Sequence, residues 1–176
     1  MTRPLRQLVL TGLPGSGKST VGRQLAVRIG WEFVDLDELI VERAGRDVAQ
    51  IFAEAGEERF RELEALATSE IRFRDRLILA PGGGWITRPE TVALMRPNAK
   101  LAYLRVSPAT AARRVAASEL ARPLLAGGDA AARMEALLQA RERLYESADL
   151  TVDAELIVDE VVTLLERWLV PGSPDP

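Results

Sequence analysis

Residues 12–19 read Gly12-Leu13-Pro14-Gly15-Ser16-Gly17-Lys18-Ser19, the spacing G-x-x-x-x-G-K-[ST]. An apolar run, Leu8-Val9-Leu10, precedes this stretch. After it, Val21, Leu25, Ala26 and Ile29 recur at helical spacing. No other feature constrains the fold as strongly. A buried strand that turns through glycines into a helix N-terminus aims a row of backbone N–H groups, and the helix field, at one point. The natural occupant of that point is phosphate. Gly15, Ser16, Gly17, Lys18, Ser19 and Thr20 are therefore candidate nucleotide contacts. Lys18 suits the outer phosphates, and the Ser19 hydroxyl suits Mg²⁺. The competing reading is a glycine turn with an exposed lysine. A chance match in a chain this long is on the order of 1%. The chain has only two lysines, Lys18 and Lys100, among 23 basic residues. A chain that otherwise uses arginine keeps a compact ammonium at the loop position, where a broad guanidinium would not fit.

Short apolar runs alternate with helical patterns through the rest of the chain. Strands are predicted at 7–11, 32–35, 76–80, 100–105 and 149–152. Helices are predicted at 18–29, 36–44, 47–54, 57–73, 88–96, 108–118, 130–147 and 155–169. This alternation predicts a three-layer α/β fold: a five-stranded parallel sheet with helices on both faces, in a single domain over residues 1–170. The tail from Pro171 to Pro176 reads as disordered. In such sheets ligands bind beyond the carboxyl ends of the strands. The residues directly after each strand are then the ones to inspect. They are the phosphate loop, Asp35-Leu36-Asp37, Pro81-Gly82-Gly83-Gly84, and Ser107-Pro108. Between helices, 119–129 has a proline, a glycine pair and weak periodicity, the pattern of a flap.

Composition removes several classes of chemistry. There is no histidine and no cysteine, so any base is a carboxylate or solvent, and thiolate and imidazole metal sites are excluded. A net charge of −3 argues against general binding to nucleic acid or membrane surfaces. No basic-then-apolar leader is read, and no apolar run reaches transmembrane length, so a cytoplasmic protein is expected. Charge is uneven: from Arg105 to Arg143 seven arginines face four acids, leaving the rest of the chain at −6. One region is thus suited to anions, although solvated helix faces explain many single arginines.

The third strand, Leu77-Ile78-Leu79-Ala80, ends in proline and glycines with no acid for a magnesium shell. Asp35 is the nearest candidate for that carboxylate. Asp37 has two readings, as a site acid or as the cap of the helix it opens. Arg61 can likewise pair with Glu57, Glu58, Glu62 or Glu64 on a solvated helix face. Arg141 shares a stripe with Leu137 and Tyr145, which makes a surface role harder to sustain. The glycine triplet reads either as a substrate rim of bare backbone or as a tight turn.

Taken in order, G-L-P-G-S-G-K-S-T (12–20), D-x-D (35–37), G-E-x-x-F-R-x-x-E (56–64), G-G-G (82–84), R-P-L-L (122–125) and R-x-x-x-Y (141–145) resemble the shikimate kinase family. The resemblance covers about residues 5–153. It implies an ATP- and Mg²⁺-dependent kinase that phosphorylates the 3-hydroxyl of shikimate, with a nucleoside-monophosphate-kinase-like fold. It also implies a substrate-binding subdomain at about 36–64 and a lid at about 116–129. By that resemblance, Lys18 contacts the β- and γ-phosphates, and Ser19 and Asp35 serve the metal. Asp37 orients the acceptor hydroxyl and takes its proton. Arg61, Arg141 and Gly82–Gly84 bind the acceptor, Arg122 reaches the phosphates from the lid, and Arg114 lies near adenine. The implied partners are ATP and shikimate, with a monomeric state. Trp85 follows the glycines where a small residue is more usual, the stretch before Arg122 is about one residue longer than in some relatives, and Asp153-Ala154-Glu155 lacks the basic and proline residues some relatives place beside adenine. The rivals are another kinase of this fold, such as a gluconate or nucleoside-monophosphate kinase, and a non-catalytic nucleotide switch. The guanine motif N-K-x-D is missing: the only asparagine, Asn98, precedes Ala99-Lys100-Leu101.

Lys18→Ala is expected to lower turnover at least ~10²-fold while the fold survives, because catalysis of phosphoryl transfer is largely charge neutralisation. Steady-state rates on a variant with an unchanged circular-dichroism spectrum check this. Near-normal turnover would remove Lys18 from the reaction.

Overall fold

The first strand, β1 (Gln7–Thr11), is buried along its whole length, with Leu8, Val9 and Leu10 fully out of solvent. A strand with apolar side chains on both faces needs cover on both faces, and β1 accordingly lies at the centre of the sheet. Residues 6–118 and 129–170 are described by the structure, a computed structural model. The other strands are β2 (Glu32–Asp35), β3 (Leu77–Ala80), β4 (Ala99–Arg105) and β5 (Leu150–Asp153). Their order is β2-β3-β1-β4-β5, and every pairing is parallel. The seven helices are α1 (Lys18–Ile29), α2 (Leu36–Ala44), α3 (Val48–Ile71), α4 (Pro89–Met95), α5 (Pro108–Ala116), α6 (Ala130–Glu146) and α7 (Val158–Leu169).

Handedness decides which face each helix covers. Parallel crossovers are right-handed, so connections that run in opposite directions across the sheet place their helices on opposite faces. The step from β1 to β2 runs one way; the steps β2 to β3, β3 to β4 and β4 to β5 run the other. So α1 lies on one face and packs against α7, while α3 packs against α4 and α5 against α6 on the other. On the last helix Val161, Val162 and Leu165 are the buried residues, while Ile157 and Leu164 face solvent. The sheet core joins Leu79, Leu101 and Leu104 to Leu25 and Ile71.

Side-chain caps set several helix starts. Asp47 forms a capping box with Gln50 at α3, Ser107 caps α5, and Asp129 caps α6. Asp35, not Asp37, caps α2, accepting from the N–H groups of Asp37 and Glu38. The strands fall within a residue of their predicted bounds. The two helices predicted at 47–54 and 57–73 form one run, bent at Gly56, whose φ of 78° and ψ of 175° are non-helical. The last helix begins later than predicted. Asp153 Oδ1 accepts from Glu155 N, and Glu155 Oε1 accepts from Ser107 N, so the chain turns before entering α7. A 3-10 turn at Trp85–Thr87, not foreseen from periodicity, is closed by Thr87 N donating to Gly84 O and Arg88 N donating to Trp85 O. The tail at 171–176, and most of the expected lid, lie outside the described residues. Among the described residues no helix is long and apolar enough to cross a membrane.

Leu10→Ala on the central strand should lower stability by about 2–5 kcal/mol, the range for deleting a fully buried leucine side chain. Urea denaturation with an unchanged m-value is the expected signature. A loss below about 1 kcal/mol would contradict the central placement of β1.

Candidate active site

The carboxyl ends of all five parallel strands lie along one edge of the sheet, and the candidate residues gather there. The loop between β1 and α1 turns tightly. Gly15 has φ 81°, and a Cβ on it would lie 2.5 Å from the carbonyl oxygen of Ala111 in α5, so only glycine fits. Lys18 is almost buried, and its Nζ donates to the carbonyls of Gly12 and Leu13, each at 2.9 Å. Those contacts hold the ammonium against the loop it serves. Ser16 is buried beneath it, while Thr20 is exposed. A cavity of about 320 Å³ opens in front of the loop. Lys18, Ser19, Asp35, Asp37 and Gly82 line it, and Arg114 stands at its rim.

Beside the loop, Ser19 Oγ donates to Asp35 Oδ2 at 2.5 Å. Asp35 therefore does two jobs. One oxygen caps α2 and the other faces the first turn of α1. Two oxygen donors so placed beside a phosphate loop fit a hard divalent cation that completes its shell with water and phosphate. No group of three or more acids, histidines or cysteines that could hold a metal by itself occurs among the described residues. Arg114 leaves α5 and donates to Ala154 O at 3.0 Å, joining the far side of the cavity to the end of β5.

The other wall is the turn Gly82–Gly84, and three elements converge on it. From α2, Asp37 approaches Gly82: a Cβ there would lie 3.3 Å from Asp37 Oδ1 and 3.5 Å from Glu64 Oε1. From α3, the guanidinium of Arg61 lies flat on Gly84, so close that a Cβ would come within 2.7 Å of its central carbon. From α6, Tyr145 donates its hydroxyl to Gly83 O at 2.8 Å, and Arg141 hydrogen-bonds to that hydroxyl. Tyr145 is fully buried and stacks on Tyr103 at 5.1 Å between ring centroids. Arg61 thus reaches the turn directly, and Arg141, distant from it in the chain, is linked to the same turn through Tyr145. Trp85 does not reshape this rim. It is buried behind it, and its indole N–H donates to Thr68 Oγ1 at 3.1 Å.

Arg61 is not on a solvated face. It is 6% exposed and held by Glu64, itself 1% exposed, and by Glu57 at 3.0 Å. Burial opposes its charge, but the two carboxylates outweigh burial and raise its pKa further. Glu64 shows the opposite balance. Burial pushes its carboxyl up to about 7 against the pull of Arg61, and the neighbouring Asp37 charge adds to the rise. In the sequence Glu64 reads as the last residue of the 56–64 motif and as a possible surface partner of Arg61. Its signal was present: it lies three residues from Arg61 and four from Phe60 and Thr68, on the buried stripe of α3. Tyr145 was noted only as a stripe member. Arg122 lies outside the described residues.

A loop shaped to hold phosphates faces, across one cavity, a wall that can hold a small anion and a hydroxyl. This defines a P-loop kinase acting on a small molecule. Comparison with known proteins narrows the class. The family model described as shikimate kinase matches residues 14–169. A shikimate kinase of Geobacter sulfurreducens is 42% identical over 93% of this chain and 91% of its own length. One of Pelotomaculum thermopropionicum is 40% identical over 94% and 96%. The structure of a shikimate kinase from Acinetobacter baumannii in complex with shikimate superposes with a TM-score of 0.88, at 31% identity over 97% of this chain and 96% of that one. The chain belongs to the shikimate kinase family. A gluconokinase from Sinorhizobium meliloti, at 17% identity and a TM-score of 0.61, shares the fold alone.

The Glu64 carboxyl is raised in the folded protein, so its contribution to stability is complete below about pH 4.5. That contribution is lost as pH rises through about 7, where the folded state finally ionises. Relative to Glu64→Gln, the wild-type melting temperature should therefore fall between about pH 4.5 and 7 and then level off. Differential scanning calorimetry on both proteins across that window checks it. Melting curves that shift in parallel would mean Glu64 titrates normally.

Proposed function

We propose that this protein transfers the γ-phosphoryl group of ATP to the 3-hydroxyl of shikimate, giving shikimate 3-phosphate and ADP, a step of chorismate and aromatic amino-acid biosynthesis. The observation that carries the reading is the approach of Asp37 and Arg61 to Gly82–Gly84, beside the phosphate loop, with Arg141 on the Tyr145 hydroxyl that donates to Gly83 O. A planar carboxylate is matched by arginine, whose hydrogen bonds are directional and charge-assisted. Gly82, which borders the cavity, presents no side chain to a ring lying close.

Each residue then has a defined task. The N–H groups of Gly15, Ser16, Gly17, Lys18, Ser19 and Thr20 cradle the phosphates, and Lys18 neutralises the group in flight. Arg114 borders the base; Arg122 and most of the expected lid lie outside the described residues. Arg61 and Arg141 hold the acceptor carboxylate, with Gly82, Gly83 and Gly84 beneath it. Asp37 orients the acceptor hydroxyl and accepts its proton, the only kind of base a histidine-free chain offers here. Ser19 and Asp35 would hold Mg²⁺, which when bound neutralises phosphate charge. Residues 36–64 act as a substrate-binding subdomain within one kinase domain spanning about 1–170. The enzyme works as a cytoplasmic monomer on ATP and shikimate, without nucleic acid or membrane. A coupled ATP-consumption assay over a panel of acceptors, gluconate and nucleoside monophosphates included, with mass spectrometry of the product, tests the assignment. Faster turnover of another acceptor, or nucleotide binding without turnover of any, would overturn it.

Asp37→Asn should abolish turnover even at saturating Mg²⁺, because the hydroxyl loses its proton acceptor. Asp35→Asn should be partly restored by added Mg²⁺, because only a metal-shell contact is lost. Magnesium titrations of both variants measure the difference. The same response in both would end this division of labour.

A further inference from the structure

Glu64 is the one buried carboxylate at the acceptor wall for which the reaction, as assigned above, has no use. Its Oε2 accepts from Arg61 Nη1, and its Oε1, fully enclosed, has no hydrogen-bond partner and points toward Gly82. Three charged groups face it: Arg61 on its own helix, Asp37 from α2, and Arg88 at the entry to α4, while Glu57 pairs with Arg61 Nη2. Glu57 is more than half exposed and stays solvated, while Glu64 is the acid most deeply removed from water.

Add one more anion to this arrangement. An acceptor carboxylate that engages Arg61 places a third carboxylate on a guanidinium already holding two, with Asp37 close by. In a buried site that surplus of negative charge is unfavourable, and the group that loses least by neutralising is the one water cannot reach. Asp37 must remain ionised to take the hydroxyl proton. Glu64 need not.

We propose that Glu64 is a proton-linked positioning residue: when the acceptor carboxylate engages Arg61, Glu64 takes up one proton from solvent. The balance is simple. Ionised enzyme, acceptor anion and one H⁺ give a complex in which Glu64 is a neutral carboxylic acid. Its Oε2, now a carbonyl oxygen, still accepts from Arg61, and its Oε1 gains a hydrogen to donate into the space by Gly82. Uptake also removes the like charge that faces Asp37. The inference rests on the reading of Arg61 as a carboxylate anchor. The starting ionisation of Glu64, near neutrality, suits such a switch.

The chain has no histidine, so no imidazole confuses the measurement. Isothermal titration of the protein with shikimate, in two buffers of different ionisation enthalpy, counts protons directly. Shikimate is itself a carboxylate ionised throughout this range. Wild type should take up close to one proton per shikimate at about pH 8 and almost none at about pH 6. Its Kd should rise about tenfold between those two values, by linkage. Glu64→Gln, a neutral mimic of the protonated acid, should show no uptake and a flat Kd, with the terminal amine unchanged as a control. A carboxylate-free analogue should bind wild type without uptake. Absence of uptake by wild type at about pH 8 overturns the proposal, and needs no variant to fold. Uptake that persists in Glu64→Gln assigns the proton elsewhere and overturns it too. Arg61→Ala separates the two levels: if shikimate affinity is lost but wild type takes up no proton, the anchor stands and only the role of Glu64 falls. If shikimate affinity is unchanged in Arg61→Ala, the anchor itself is wrong.

Discussion

The parallel sheet with β1 at its centre is the constraint from which everything else follows. Each buried strand must be followed by a crossover, so every strand delivers its carboxyl end to the same edge. Thr11, Asp35, Ala80, Arg105 and Asp153 end their strands there. The phosphate loop, the capping aspartate, the glycine turn and the contact of Arg114 with Ala154 are neighbours for that reason. No local preference of theirs would have brought them together.

The second organising element is charge kept out of water. Arg61 and Glu64 form an ion pair that solvent barely reaches. Removing one member of such a pair leaves a buried charge unmatched and typically costs about 3–5 kcal/mol. The pair has a geometric condition: the Arg61 guanidinium occupies the space a side chain at position 84 would need. The glycine turn thus accommodates the arginine. Tyr145 secures the other end of the turn through Gly83, and the buried Trp85 fixes its exit. The three glycines are held by side chains of their neighbours as well as by backbone hydrogen bonds from Trp85 to Gly82 and from Thr87 to Gly84.

Asp35 shows how closely structure and chemistry share residues. One carboxylate caps α2, meets Ser19 and so ties the second strand to the first turn of α1. The aspartate two residues on is released from capping and faces the acceptor wall. The D-x-D spacing divides the two tasks because one residue precedes the helix and the other lies in its first turn.

Much of this was legible in the chain. The glycine loop between an apolar run and a helical pattern has one physical use. The alternating runs bounded five strands and most helices closely, because burial on both faces leaves a continuous apolar signature. What periodicity could not supply was contact between distant segments. Glu64 looked like one of several acids near Arg61, and only the packing of α3 against the Gly82–Gly84 turn buried that pair and left Glu57 in water. Asp35 and Asp37 were both eligible to cap α2 until the end of β2 decided between them. The sequence alone determined the fold class and the glycine loop between β1 and α1, because both arise from local pattern. The tertiary structure decided which charges are buried and which side chains share the acceptor wall, because burial and convergence depend on segments brought together only by the crossovers of the sheet.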